Sequence, residues 1–141
     1  MYSRFLTSKR TKKFGRRIRK TPVYVSFDYD NDKILKDFII GQSKMIDSPF
    51  SITDWSIKRA VSGNWVADAE RRIRRSDVVL VMVGAKTYSA QGVIKEVALA
   101  RKHKKKIVQV IGYKDIVAPT PVGGAGRLYR WNWDNLKKIM H

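Results

Sequence analysis

Ser76 to Val110 reads SDVVLVMVGAKTYSAQGVIKEVALARKHKKKIVQV, and this stretch decides the fold. Val78 to Val83 is an unbroken apolar run rich in β-branched residues, the pattern of a strand covered on both faces. A polar loop follows from Gly84 to Gly92. The spacing then predicts an amphipathic helix over Val93 to His103 and a second buried strand over Ile107 to Ile111. Strand, loop, helix and strand in this order make a βαβ unit, whose two strands lie parallel. In open parallel sheets ligands bind outside the carboxyl ends of the strands, so the loop after Val83 is where chemistry is expected. Glu96 stands just beyond that loop, and the chain has only one other glutamate, Glu70.

The same alternation extends in both directions. Val23-Tyr24-Val25-Ser26-Phe27 reads as a first strand, and Asp28 to Asp32 as a polar turn. Ile34, Leu35, Phe38 and Ile39 recur at helical spacing within a first helix from roughly Asp30 to Gln42. Beyond Pro49, residues Phe50 to Asp54 give a short second strand, and Trp55 to Gly63 a loop. Trp65, Val66, Ala69 and Ile73 mark the apolar face of a second helix, with Arg71, Arg72, Arg74 and Arg75 opposite. Lys114 to Arg127 holds Pro119, Pro121, Gly123, Gly124 and Gly126 and reads as irregular loop. Leu128 to Trp131 is expected as a short edge strand. Asp134 to Met140 is expected as a closing helix capped by Asn132 or Asp134. Trp65 is expected in the core, and Trp131 and Trp133 are expected to pack the last helix on the sheet. The fold class is α/β, a flavodoxin-like three-layer sandwich with a central, mainly parallel sheet.

Composition narrows the chemistry. The chain has 141 residues, 43% of them hydrophobic, enough for one domain with a core of ordinary size. It has no cysteine and two histidines, His103 and His141, so thiolate metal sites and disulfides are excluded and a zinc site is not expected. No apolar run is long enough to span a membrane, and the first residues lack the apolar core of a secretory signal. A cytoplasmic protein with no membrane partner is the expectation. Of the thirty basic residues, nine lie within residues 1–22, where there is no acid, so half of the +18 formal charge sits there. Residues 1–21 are therefore read as a basic tail and residues 22–141 as the folded domain. Such a tail is a candidate nucleic-acid arm. Its aromatic residues are sparse, and the plainer reading, a solvated extension, is preferred.

Several motifs are set aside. Gly123-Gly124-Ala125-Gly126 follows a Pro-rich loop instead of opening a helix, so it is not read as a phosphate cradle. Asp28, Asp30 and Asp32 have the spacing of a calcium loop without its sixth-position glycine or twelfth-position glutamate. A response-regulator reading needs an aspartate where the third strand ends in Val83-Gly84. Trp55, directly after the second strand, either stacks on a ligand or staples the loop. For Glu96 the plain alternative is an exposed glutamate pairing with Lys95 or Lys102 near a helix start, favourable by some tenths of a kcal/mol.

Val23 to Phe27, the Asn64-Trp65 start of a basic helix, and above all the strand, Gly84-Ala85-Lys86-Thr87 loop and Val93-x-x-Glu96 taken together resemble Toll/interleukin-1 receptor (TIR) domains. The similarity covers nearly all of residues 22–112 and is closest to short bacterial TIR-like proteins, including the TIR subunit of the Thoeris antiphage system. The resemblance implies an enzyme that cleaves the bond between nicotinamide and ribose in NAD, with Glu96 as the catalytic carboxylate. NAD would be substrate, and no cofactor is implied. It also implies a pocket lined by Ser26, Phe27 and Asp28, by Trp55, and by Thr87, Tyr88 and Ser89. Self-association on activation and an effector protein that responds to the product are implied as partners. Many family members carry a tryptophan near the valine of this motif, where this chain has Gly92. Three other readings stay open: a TIR module that signals by assembly without catalysis, a nucleoside deoxyribosyltransferase-like enzyme, and a nucleic-acid-binding domain.

Overall fold

The computed structural model describes residues 20–55, 64–113 and 119–140, with the side chains of residues 54 and 55 excepted. The tail over residues 1–19, the loop over 56–63 and part of the expected Pro/Gly loop lie outside the described residues.

The elements in chain order are β1 (Thr21–Ser26), α1 (Ile34–Ser43), β2 (Phe50–Trp55), α2 (Trp65–Arg74) and β3 (Val78–Val83). A 3-10 turn (Thr87–Ser89) precedes α3 (Gln91–Lys102), followed by β4 (Lys106–Ile111), β5 (Leu128–Arg130) and α4 (Trp133–Met140). The strands form one sheet in the order β2-β1-β3-β4-β5. Every pairing is parallel. This order is the flavodoxin-like one, which places the topological switch between β1 and β3.

Strand alternation sorts the core into two layers. Val23, Val25, Phe27, Leu80, Met82, Val108 and Val110 face α1 and α4, meeting Leu35, Ile39, Leu136 and Met140. Tyr24, Val79, Val81 and Val83 face α2 and α3, meeting Ala69, Ile73, Val93 and Val97. β3 is buried at all six positions, which is why it reads in sequence as a continuous apolar run.

The main departures from the sequence reading are local. α1 begins at Ile34 instead of Asp30, because the Asp28 carboxylate accepts the Asp30 backbone N–H (3.3 Å) and the Asn31 amide (2.7 Å). An aspartate that binds the chain two residues on favours a turn over a helix start. α3 begins at Gln91, two residues before the expected Val93. β2 includes Trp55, and β5 ends at Arg130. Asn132 caps α4: its side-chain oxygen accepts the Asn135 N–H at 3.0 Å. Trp131 and Trp133 do more than hold α4 on the sheet. Trp131 meets the edge of Phe38 in α1, with ring centroids 5.1 Å apart. The Trp133 indole donates to Asp47 at 3.1 Å.

Candidate active site

Glu96 lies in the second turn of α3 and on its buried face. Val93, Glu96, Val97 and Ala100 recur at i, i+3, i+4 and i+7 and point to the sheet. The carboxylate is 2% exposed, so the exposed-glutamate alternative is overturned. Lys102, its suggested partner, pairs with Glu70 instead, at 2.8 Å.

A buried carboxylate needs hydrogen-bond donors, and β1 supplies them. The Ser26 hydroxyl donates to Glu96 Oε1 at 2.8 Å, and the Tyr24 phenol donates to Oε2. Tyr24 and Ser26 are two apart on one strand, so both point to the α3 face. They pair in register with Val79 and Val81 of β3. The carboxylate therefore sits over the β1/β3 switch with an O–H donor on each oxygen. Sequence reading missed Tyr24. The signal was available in the alternation of Val23 to Phe27, which sets Tyr24 and Ser26 on the face opposite Val23, Val25 and Phe27.

A second buried carboxylate lies at the same end of the sheet. Asp32 is 4% exposed and accepts the Tyr113 phenol at 2.8 Å and the Thr87 hydroxyl at 3.2 Å. Thr87 in turn accepts the Gly84 N–H at 2.7 Å. Burial raises the Asp32 pKa above the ordinary carboxylate value, against the lowering effect of Tyr113 and Thr87. Burial also raises the Tyr113 phenol, and Asp32 adds to that shift. The trio ties the β1–α1 turn, the loop ahead of α3 and the chain after β4. Gly84 is required at this point. A Cβ there would stand 2.7 Å from Asp32 Cγ, closer than real Cβ contacts come.

The other expected pocket residues divide. Phe27 faces the α1/α4 layer, stacked on Tyr29 with centroids 5.7 Å apart, and is not beside Glu96. Asp28 is buried and engaged with its own turn. Thr87 points inward, Tyr88 is 47% exposed, and exposed Ser89 donates to the Lys86 carbonyl at 3.1 Å. Trp55 ends β2 opposite Val25, and its side chain lies outside the described residues. Gly92 sits in the first turn of α3, and a Cβ there would meet nothing within 4 Å, so the helix could carry a larger side chain at this position.

Comparison with protein families settles the kinship. The profile described as Thoeris protein ThsB, TIR-like domain, matches residues 24–114, well over half of the chain. The chain belongs to the TIR-like domain family of the Thoeris protein ThsB. The match runs from the second half of β1 through β4, and so includes Tyr24, Ser26, Asp32, Thr87 and Glu96. A search of curated proteins returned no match. The TIR-like domain is thus a module of an antiphage defence type, built on a five-stranded parallel sheet. Among the described residues no helix is long and apolar enough to cross a membrane.

Proposed function

We propose that this TIR-like domain cleaves NAD at the bond between nicotinamide and ribose, with Glu96 as the catalytic carboxylate. The observation that carries the reading is the buried Glu96, held by two hydroxyl donors over the switch point of the sheet. Family membership supports it.

In the proposed reaction the C1′–N bond breaks, and its electron pair neutralises the nicotinamide ring nitrogen. The ribose is left with oxocarbenium character. A carboxylate fixed nearby stabilises that positive charge, and a dry setting strengthens the attraction. A nucleophile then takes C1′. Water gives linear ADP-ribose, and a nitrogen of the adenine gives a cyclic product. The ribose diol has two O–H groups and can replace Tyr24 and Ser26 as donors to Glu96. Trp55 and the loop bearing Thr87, Tyr88 and Ser89 are proposed to wall the pocket with Asp28. In this reading the protein works in the cytoplasm, where its substrate is abundant. It self-associates on activation, and its product acts on an effector protein.

Burial of Glu96 also favours a second reading, an assembly module in which the carboxylate only ties α3 to β1. One variant separates the two. Glu96→Gln keeps the shape and removes the charge. The expected result is a folded protein with an unfolding midpoint near wild type and no consumption of NAD, followed by chromatography of the purified, activated protein. Undiminished NAD turnover in that variant would sink the catalytic assignment. A collapsed midpoint with unchanged specific turnover in the folded fraction would favour the assembly module. Turnover of a deoxynucleoside in place of NAD would favour the deoxyribosyltransferase-like chemistry.

A further inference from the structure

At the end of the sheet opposite Glu96, two basic turns lie side by side. Arg74 and Arg75 end α2 and lead to β3, while Lys104, Lys105 and Lys106 lead from α3 into β4. β3 and β4 pair with Val78 opposite Lys106. The Lys105 ammonium donates to the Arg74 carbonyl at 3.0 Å, which fixes the two turns against each other. Arg74, Arg75, Lys104 and Lys106 are exposed, and Asp77 is the acid beside them. Part of this charge has a structural use, since cations suit the carbonyl ends of helices.

Lys104 does not fit that account. It closes α3 in a Schellman motif: the Lys105 N–H reaches the Ala100 carbonyl (2.9 Å), and the Lys104 N–H reaches the Arg101 carbonyl (3.0 Å). The first residue beyond the cap, here Lys104, must be left-handed in this motif, and its φ is 55°. It is the one non-glycine with positive φ among the described residues. Glycine is the usual occupant, because a side chain there is strained. Among the described residues the Lys104 ammonium makes no hydrogen bond or ion pair. Strain kept at an exposed lysine with no side-chain partner among the described residues leaves its ammonium for a ligand.

We propose that this basic face, Arg74, Arg75 and Lys104 to Lys106, binds the sugar-phosphate backbone of a nucleic acid. Closely spaced cations on rigid turns match a line of phosphates and gain affinity by releasing its counterions. A lipid surface fits less well. Membrane-surface sites combine cations with apolar side chains that insert. The large apolar residues exposed among the described residues are Ile34, Phe38, Met45, Ile46, Tyr88 and Ile94, and none is on these turns. Met45 and Ile46 precede β2, which is separated from β3 by β1, or about 10 Å of sheet. Lys104 follows Glu96 by eight residues, about 12 Å along the α3 axis, so this face and Glu96 are far enough apart to be occupied at once.

The test uses the full chain and a fluorescent DNA duplex of about 20 base pairs, titrated over a series of salt concentrations. Lys104→Gly is expected to raise the unfolding midpoint and at the same time weaken binding severalfold, with a salt slope shallower by about one. Arg74→Gln, Arg75→Gln and Lys104→Gly together are expected to flatten the slope by about two to three. NAD turnover should be unchanged in both. A stabilised Lys104→Gly variant with wild-type binding would make the lysine a structural accident and overturn the proposal. So would a triple variant with wild-type slope, which would assign all binding to residues 1–19. Wild-type binding to phosphatidylserine vesicles with none to DNA would replace the nucleic acid by a membrane.

Discussion

Glu96 carries the weight at the scale of single residues, and its two oxygens are not equivalent. Ser26 holds one through a short aliphatic hydroxyl, and Tyr24 holds the other through a rigid ring anchored in the α2/α3 layer. Tyr24→Phe keeps the ring and removes the donor, leaving a buried carboxylate oxygen short of one hydrogen bond. The expected cost is about 1–3 kcal/mol of stability. Turnover is expected to fall through kcat more than through KM, because the carboxylate loses its aim and no contact with distant parts of the substrate changes. Denaturation and NAD kinetics on one preparation check both halves. Glu96 was legible in the sequence through the loop and helix motif around it. Its burial was not, since the nearby Lys95 and Lys102 suggested a surface pairing, whereas α3 turns Glu96 to the sheet with Val93, Val97 and Ala100. Tyr24 read as one more strand residue, because periodicity shows which face a side chain takes and not which group it meets.

Between elements, the α2–α3 contact has a charged seam beside its apolar one. Glu70 of α2 accepts Lys102 at 2.8 Å and His103 at 2.6 Å, both at the end of α3. These hydrogen bonds, that from Lys102 first, pull the Glu70 pKa from 4.5 to about 2. A folded-state value below the unfolded one means that the ionised form stabilises the fold. That stability is complete above the unfolded pKa of 4.5 and is lost as pH falls towards about 2. Wild type is therefore expected to be more resistant to urea than Glu70→Gln at about pH 5.5, with the gap much narrower at about pH 2.5. Equal gaps at both pH values would remove Glu70 from the account. The elements themselves were legible where a buried face imposed a period, as in α2 and α3, or where burial on both faces gave a continuous apolar run, as in β3. Their ends were not. The start of α1 depends on how the Asp28 carboxylate meets Asp30 and Asn31, and that is a choice of side-chain rotamer that hydrophobic spacing does not record.

At the scale of the whole fold, three carboxylates with buried side chains and the basic turns lie at opposite ends of the described strands. Asp28, Asp32 and Glu96 gather at the carboxyl end of the sheet, and Arg74, Arg75 and Lys104 to Lys106 at the amino end, where β1 also begins. Lys20 donates to the Ser43 and Met45 carbonyls, each at 2.9 Å, so the described fold is tied down from Lys20 onward. Deleting residues 1–19 is expected to shift the melting temperature by no more than about 2 °C, as for surface changes away from a core. Calorimetry checks this, and a large drop would mean that those residues pack on the domain. The all-parallel sheet has one more consequence, and it concerns time. Among the described residues no two neighbouring strands are joined by a hairpin, so no pair of these strands can zip up locally. Glu96 stands 72 residues from Tyr24 and 70 from Ser26 along the chain. Closing a loop of that size costs about 4 kcal/mol before any contact repays it. Topologies of this kind fold slowly. During synthesis the glutamate emerges long after its two donors, and the site forms only when β3 has docked against β1. Until that moment Glu96 has neither of its two donors.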